Sequence, residues 1–292
     1  MTKEERKEHI IRLWKETFFD TEDFVRFYFD NIYRDGNTLT VEREDRVLSA
    51  LQILPYRMTF LGAEIPVAYI AGASTLPSEQ GKGHMTGLLA QADLEIRRRR
   101  IPLSILIPAG DRLFDYYRAR GYFDFFSYSL HTCNRSAHTL SGISVERRSM
   151  ADKEAYTYFD SRSRLRPISV LHTYDDFRFI LRDLELEGGD FLVAVREDGS
   201  IGGMAFAGHD GFVREILSDS EGVKECLLDR VAAVHNLSRT TYRTPSTASL
   251  PSLPYGMARI TDRELLGAIC RKADIDVLHL TSRAAYISLM LE

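Results

Sequence analysis

The stretch Ser78-Glu79-Gln80-Gly81-Lys82-Gly83-His84-Met85 decides how this chain is read. Upstream lies VAYIAGASTL, an apolar run of β character. Downstream lies MTGLLAQADLEI, in which Met85, Leu88, Leu89, Ala92 and Ile96 recur at helical spacing. That pattern marks one buried face of an α-helix. The stretch therefore joins a strand to a helix through paired glycines and a lysine. Glycines let the backbone approach a ligand closely, and the first amides of a helix aim free N–H groups at an anion. A loop running from Gly81 to Thr86 would cradle a diphosphate.

Two familiar phosphate loops do not fit. The nucleoside-triphosphate loop would require glycine at Leu76 and a magnesium-binding hydroxyl at Gly83. The dinucleotide fingerprint would require glycine at Thr86, and it belongs near the start of a βαβ unit. The strand here follows three earlier ones, TLTVE, RVLSALQILPY and RMTFLG. Two helical segments precede them, Lys3 to Lys15 and DTEDFVRFYFDNIY, the second capped by Thr21.

Beyond the helix, the continuous apolar strand LSILIP leads into a second helix, DRLFDYYRAR. That helix stops at Gly121, the natural left-handed residue after a helix end. With both motifs on the page, the chain resembles the GNAT (Gcn5-related) N-acetyltransferases. Gln80-Gly81-Lys82-Gly83-His84-Met85 is similar to their Q/R-x-x-G-x-G/A loop, with Met85 in place of the last small residue. Tyr116-Tyr117-Arg118-Ala119-Arg120-Gly121-Tyr122 is similar to their F-Y-x-x-x-G-F motif, at the expected separation.

The resemblance implies acetyl-CoA as cosubstrate and no metal. It places the pantetheine arm on a splayed strand end at Ala73, Ser74 and Thr75. It places the diphosphate on Gln80, Gly81, Lys82, Gly83, His84, Met85 and Thr86. It makes Tyr117 the general acid that protonates the departing thiolate; a phenol, with a pKa of about 10, carries that proton at neutral pH. Asp20, Phe24, Phe27 and Tyr28 fall on the helices that border the acceptor pocket in this fold, and the acceptor is a primary amine of a small molecule or peptide.

The second half repeats the plan loosely. Helices ADKEAYTYFDSRS and TYDDFRFILRDLEL precede strands DFLVAVRE, SIGGMAFAG and VREIL and the helix SEGVKECLLDRVAAVH. Its strand-to-helix junction, LSDSEGVKE, has neither paired glycines nor lysine. This layout resembles the Eis-type enzymes, with a shortened C-terminal region. The expected fold is α+β or α/β, as two tandem GNAT-like domains, each a mixed, mostly antiparallel sheet flanked by helices. The expected division is a catalytic domain over 1–140, a degenerate GNAT-like domain over 141–245, and a linker with a short remnant over 246–292. The resemblance also nominates the terminal carboxylate of Glu292 for the active site.

Composition restricts the partners. Of 292 residues 44% are hydrophobic and 27% charged, and the net charge of -4 gives no electrostatic basis for binding nucleic acid or anionic membrane. The run Arg97 to Arg100 ends a helix, where cations favour the negative dipole end. Cys133, Cys226 and Cys270 are widely spaced, so neither a disulfide framework nor zinc is indicated. A charged helical start and the lack of a long apolar run point to the cytoplasm. Retention of a second half without a cofactor loop is compatible with a homo-oligomer. The competing readings are a non-catalytic CoA-binding regulatory or scaffold module and a nucleotide-binding protein.

Overall fold

The computed structural model describes residues 1–136, 139–149, 152–246, 251–272 and 285–290. The N-terminal segment folds as α1 (Lys3–Thr17), entered through a capping box in which Thr2 and Glu5 satisfy each other's amides. The α2 helix (Glu22–Asn31) starts at Thr21, whose hydroxyl accepts from the Phe24 amide. The facing sides of α1 and α2 bury Leu13, Trp14, Phe24, Tyr28 and Phe29 together.

An antiparallel meander follows: β1 (Thr38–Arg43), β2 (Arg46–Phe60) and β3 (Ala63–Thr75). The β2–β3 hairpin turns at Leu61 and Gly62, with φ of 49° and 92°, the sign a tight two-residue hairpin requires at both positions. The core alternates across the sheet with the period of a strand. Leu51 and Ile53 face one helical layer, and Leu54 and Met58 face the other side.

Next come α3 (His84–Arg98), β4 (Leu103–Leu106), α4 (Asp111–Arg118) and β5 (Phe123–Asn134). Leu88, Leu89, Ala92 and Ile96 of α3 are buried, as their spacing predicts. The second half runs β6 (Ile143–Arg148), α5 (Lys153–Arg164), β7 (Ile168–Leu171), α6 (Tyr174–Leu186), β8 (Asp190–Arg196), β9 (Ile201–Ala207), β10 (Val213–Ser218), α7 (Glu221–Val234) and β11 (Arg239–Pro245). It is followed by β12 (Leu253–Ile260), α8 (Arg263–Lys272) and β13 (Ala285–Tyr286).

Among the described residues the strands form one mixed sheet, ordered β13-β7-β2-β3-β4-β12-β5-β11-β10-β9-β8-β6, with β1 added on β2. The architecture is the expected tandem, mixed α/β arrangement, but its halves share strands. One end of β5, residues 123–128, pairs with β12, and the other, residues 128–134, pairs with β11. Two readings of the sequence need correcting. RVLSALQILPY and RMTFLG are one strand, β2. Its Pro55 is tolerated because it falls between residues 46–52, paired with β1, and 57–60, paired with β7. The segment read as linker and short remnant supplies β12, whose Met257 and Ala258 are fully buried between β4 and β5. Among the described residues no helix is long and apolar enough to cross a membrane.

Candidate active site

The site begins where two strands part. β3 and β4 run parallel and pair only through Val67–Leu103, Ala68–Ser104 and Tyr69–Ile105. Beyond Tyr69 the edge of β3 that faced β4 is open. A bulge helps it turn away: against β2 the register passes from Gln52–Ala71 to Ala50–Ser74, so Gly72 and Ala73 together oppose Leu51. Gly72 takes the left-handed conformation, φ 57°. The Ser49 hydroxyl fixes the end of β3, donating to the Ser74 carbonyl at 2.8 Å and sharing a hydrogen bond with Thr75 Oγ1 at 2.8 Å.

The loop after β3 is shaped by two more left-handed glycines, Gly81 (φ 76°) and Gly83 (φ 85°). A Cβ at either would meet nothing within 4 Å, so glycine is needed there for backbone conformation, not for space. Gly83 is the N-cap of α3 and its carbonyl accepts from the Gly87 amide at 3.0 Å. The amides of His84, Met85 and Thr86 are then the first of the helix, with no carbonyl a turn earlier to receive them. Glu79, only 8% exposed, anchors the loop from below through Lys82 Nζ (3.1 Å), His84 Nε2 (3.1 Å) and Arg43 (3.2 Å). Lys82, followed by His84, holds the Glu79 carboxyl below its ordinary value.

A cleft of about 590 Å³ lies between the parted strands and opens onto this loop. Ala73, Ser74, Thr75, Gln80, Gly81, Gly83, His84, Met85 and Thr86 all line it. Across it stands α4, whose Tyr116 and Tyr117 both face the cleft. Tyr117 is 7% exposed, with its ring edge-on to Tyr116 (centroids 5.3 Å) and Tyr122 (5.7 Å). Behind it Tyr122 shares a 2.8 Å hydrogen bond with Ser104, and burial pushes its phenol up to about 12. A parted pair of strands, an amide-lined loop and a phenol thus share one cavity.

Residues 1–123 match the sequence model of the acetyltransferase (GNAT) domain. A probable N-acyltransferase of Enterococcus faecalis superposes over 91% of this chain and 73% of its own, with a TM-score of 0.74 at 16% identity. Eis1 of Mycobacterium abscessus does so over 88% of this chain and 72% of its own (TM-score 0.67, 12% identity). A tandem GNAT protein from the clavulanic acid biosynthesis pathway covers 89% and 95% (TM-score 0.50, 12% identity). At these identities the likeness is one of fold. No curated protein matches the sequence.

The structure places the remaining candidates elsewhere. Lys82 is turned to Glu79 and is not among the residues lining the cleft. Phe24 and Tyr28 are buried between α1 and α2, because those helices need an apolar seam. Phe27 packs edge-on against Phe179 of α6 at 5.8 Å. Asp20 accepts from Trp14 Nε1 at 2.7 Å, and burial raises its pKa against the effect of that bond. None of these four lines the cleft; Trp14, Thr17 and Phe18 form its helical wall instead. The signal for them was the tract WKETFF, whose aromatics outnumber what a short amphipathic helix needs for its own packing. Glu292 lies outside the described residues. Met290, near it in sequence, packs against the cluster that holds Leu54 and Tyr69.

Proposed function

We propose that the chain transfers an acetyl group from acetyl-CoA to a primary amine of a small molecule or a peptide. One observation carries this reading: the open edge of β3, the left-handed glycine loop and the Tyr117 ring all border a single cleft. The residues suit the cosubstrate. An extended amide-bearing arm matches a strand edge free to accept a further partner, and a diphosphate matches a helix start with unpaired amides.

When bound, acetyl-CoA supplies an activated thioester. Amides from Gly81 to Thr86 hold the diphosphate and so fix the position of the arm. Backbone N–H groups around Ser74 and Thr75 orient the arm and polarise the carbonyl. Tyr117 Oη holds the proton that goes to the leaving sulfur. Trp14, Phe18 and Ile107 keep water from the reacting end. Thr17 and Phe18 place the acceptor amine on the α1 side of the cleft.

The test is CoA release measured with polyamines, aminoglycosides and lysine peptides. We expect turnover with at least one amine class. Tyr117→Phe should lower kcat roughly a hundredfold while leaving acetyl-CoA affinity within a factor of about two. Tight acetyl-CoA binding with no turnover on any amine would instead identify a non-catalytic CoA module.

A further inference from the structure

On the reading of the cleft as a CoA site, we infer that Arg120 is a phosphate ligand of the cosubstrate, a side-chain clamp added to the backbone loop. Arg120 leaves the end of α4 and reaches across the cleft to the first turn of α3. Its Nε and Nη2 donate to Thr86 Oγ1 at 3.2 and 2.6 Å, and its Nη1 donates to the Tyr116 carbonyl at 2.6 Å. The guanidinium carbon lies over the Tyr116 ring, 3.4 Å from the centroid. These contacts fix its plane and leave donors on both Nη atoms for a further partner.

Its charge is unanswered. Among the described residues, the other cations near the loop each have a carboxylate. Lys82 and Arg43 share Glu79, and Arg118 pairs with Asp115 and Asp124. Arg120 touches no carboxylate, although it lines the same cavity as the amides of the loop. A guanidinium held by stacking and a hydroxyl, with no counter-ion, suits bidentate recognition of a phosphate. Thr86 then has two functions: its amide belongs to the helix start, and its hydroxyl sets the position of the guanidinium.

CoA offers two such groups, the diphosphate and the 3′-phosphate. Titration calorimetry with CoA, 3′-dephospho-CoA and pantetheine, on wild type, Arg120→Gln and Arg120→Lys, separates them. We expect Arg120→Gln to weaken CoA binding roughly tenfold to a hundredfold, with pantetheine unaffected and the lysine variant in between. An equal loss for CoA and dephospho-CoA assigns the diphosphate, and a loss confined to CoA assigns the 3′-phosphate. Unchanged CoA affinity in Arg120→Gln overturns the proposal. So does an equal loss for all three ligands, which would mean that Arg120 only braces α4 against α3. A wild-type protein that binds none of them removes the CoA reading itself, and Arg120's role with it.

Discussion

The indole of Trp14 stands so close to Gly72 that a Cβ on that glycine would lie 2.6 Å from Cζ3. Helix α1 thus presses on the bulge where β3 turns away from β4. Gly72→Ala adds a methyl group at a left-handed position inside this contact, and we expect a loss of about 1–3 kcal/mol in urea unfolding. Trp14→Phe in the same background should recover part of it, and a purely additive pair would show that the two residues are not coupled.

Gly83 is restricted by conformation alone, since nothing lies within 4 Å of its absent side chain. Gly83→Val should cost about 1–2 kcal/mol of stability and weaken acetyl-CoA binding at least roughly tenfold, by redirecting the first amides of α3. Gly83→Asn should be milder in both respects, because asparagine tolerates the left-handed region. Equal damage from the two would point to crowding instead.

Asp183 supplies a pH dependence. Burial and the nearby Glu187 push its carboxyl up to about 7, against the pull of Arg214. The folded protein therefore keeps a proton that the unfolded chain loses near pH 4, so this group's contribution to stability declines as pH rises from about 4 to 7. Asp183→Asn should flatten the stability profile over that window and raise the melting temperature at pH 8. A variant profile parallel to that of wild type would remove Asp183 as its source.

Arg166 meets Glu215 with two hydrogen bonds, of 2.8 and 3.0 Å, in a setting where Glu215 is 1% exposed. Ser288 also donates to Glu215, and Arg166 stacks on Tyr286 at 4.6 Å. The pair therefore fastens the C-terminal segment to β10 and to the approach to β7. Glu215→Ala leaves a buried cation without its partner and should cost about 3–5 kcal/mol in chemical denaturation. The double change Arg166→Met with Glu215→Leu should be less damaging than either single change. Greater damage from the double would mean that packing, not charge, holds the segment.

What was legible in the sequence was local. The stripe from Met85 to Ile96 and the glycines at 81 and 83 each lie within a few residues of what they shape. The position of Tyr117 beside the loop was legible because a second motif at a fixed distance supported the first. The wall of the cleft was not: Trp14 fits a helix's own apolar face as well as it fits a cavity, and only its contact with Gly72 decides the matter. Arg120 was similarly hidden, since two arginines at a helix end suit the dipole without any ligand. β12 was illegible for a different reason. Its partners, such as Leu106 for Met257, are separated from it by the whole second half, and a short apolar run carries no information about so distant a neighbour.

The place of β12 between β4 and β5 has a consequence for synthesis. The strand that completes the sheet beneath Tyr117 leaves the ribosome only after the entire second half has been made. Until then β4 and β5 each expose an unpaired edge, and both edges invite pairing with another chain. Contacts of such long sequence separation also slow the search for the native state. The N-terminal half is begun first and finished last, so a chain ending before Leu253 should accumulate as aggregate and not as an independent N-terminal domain.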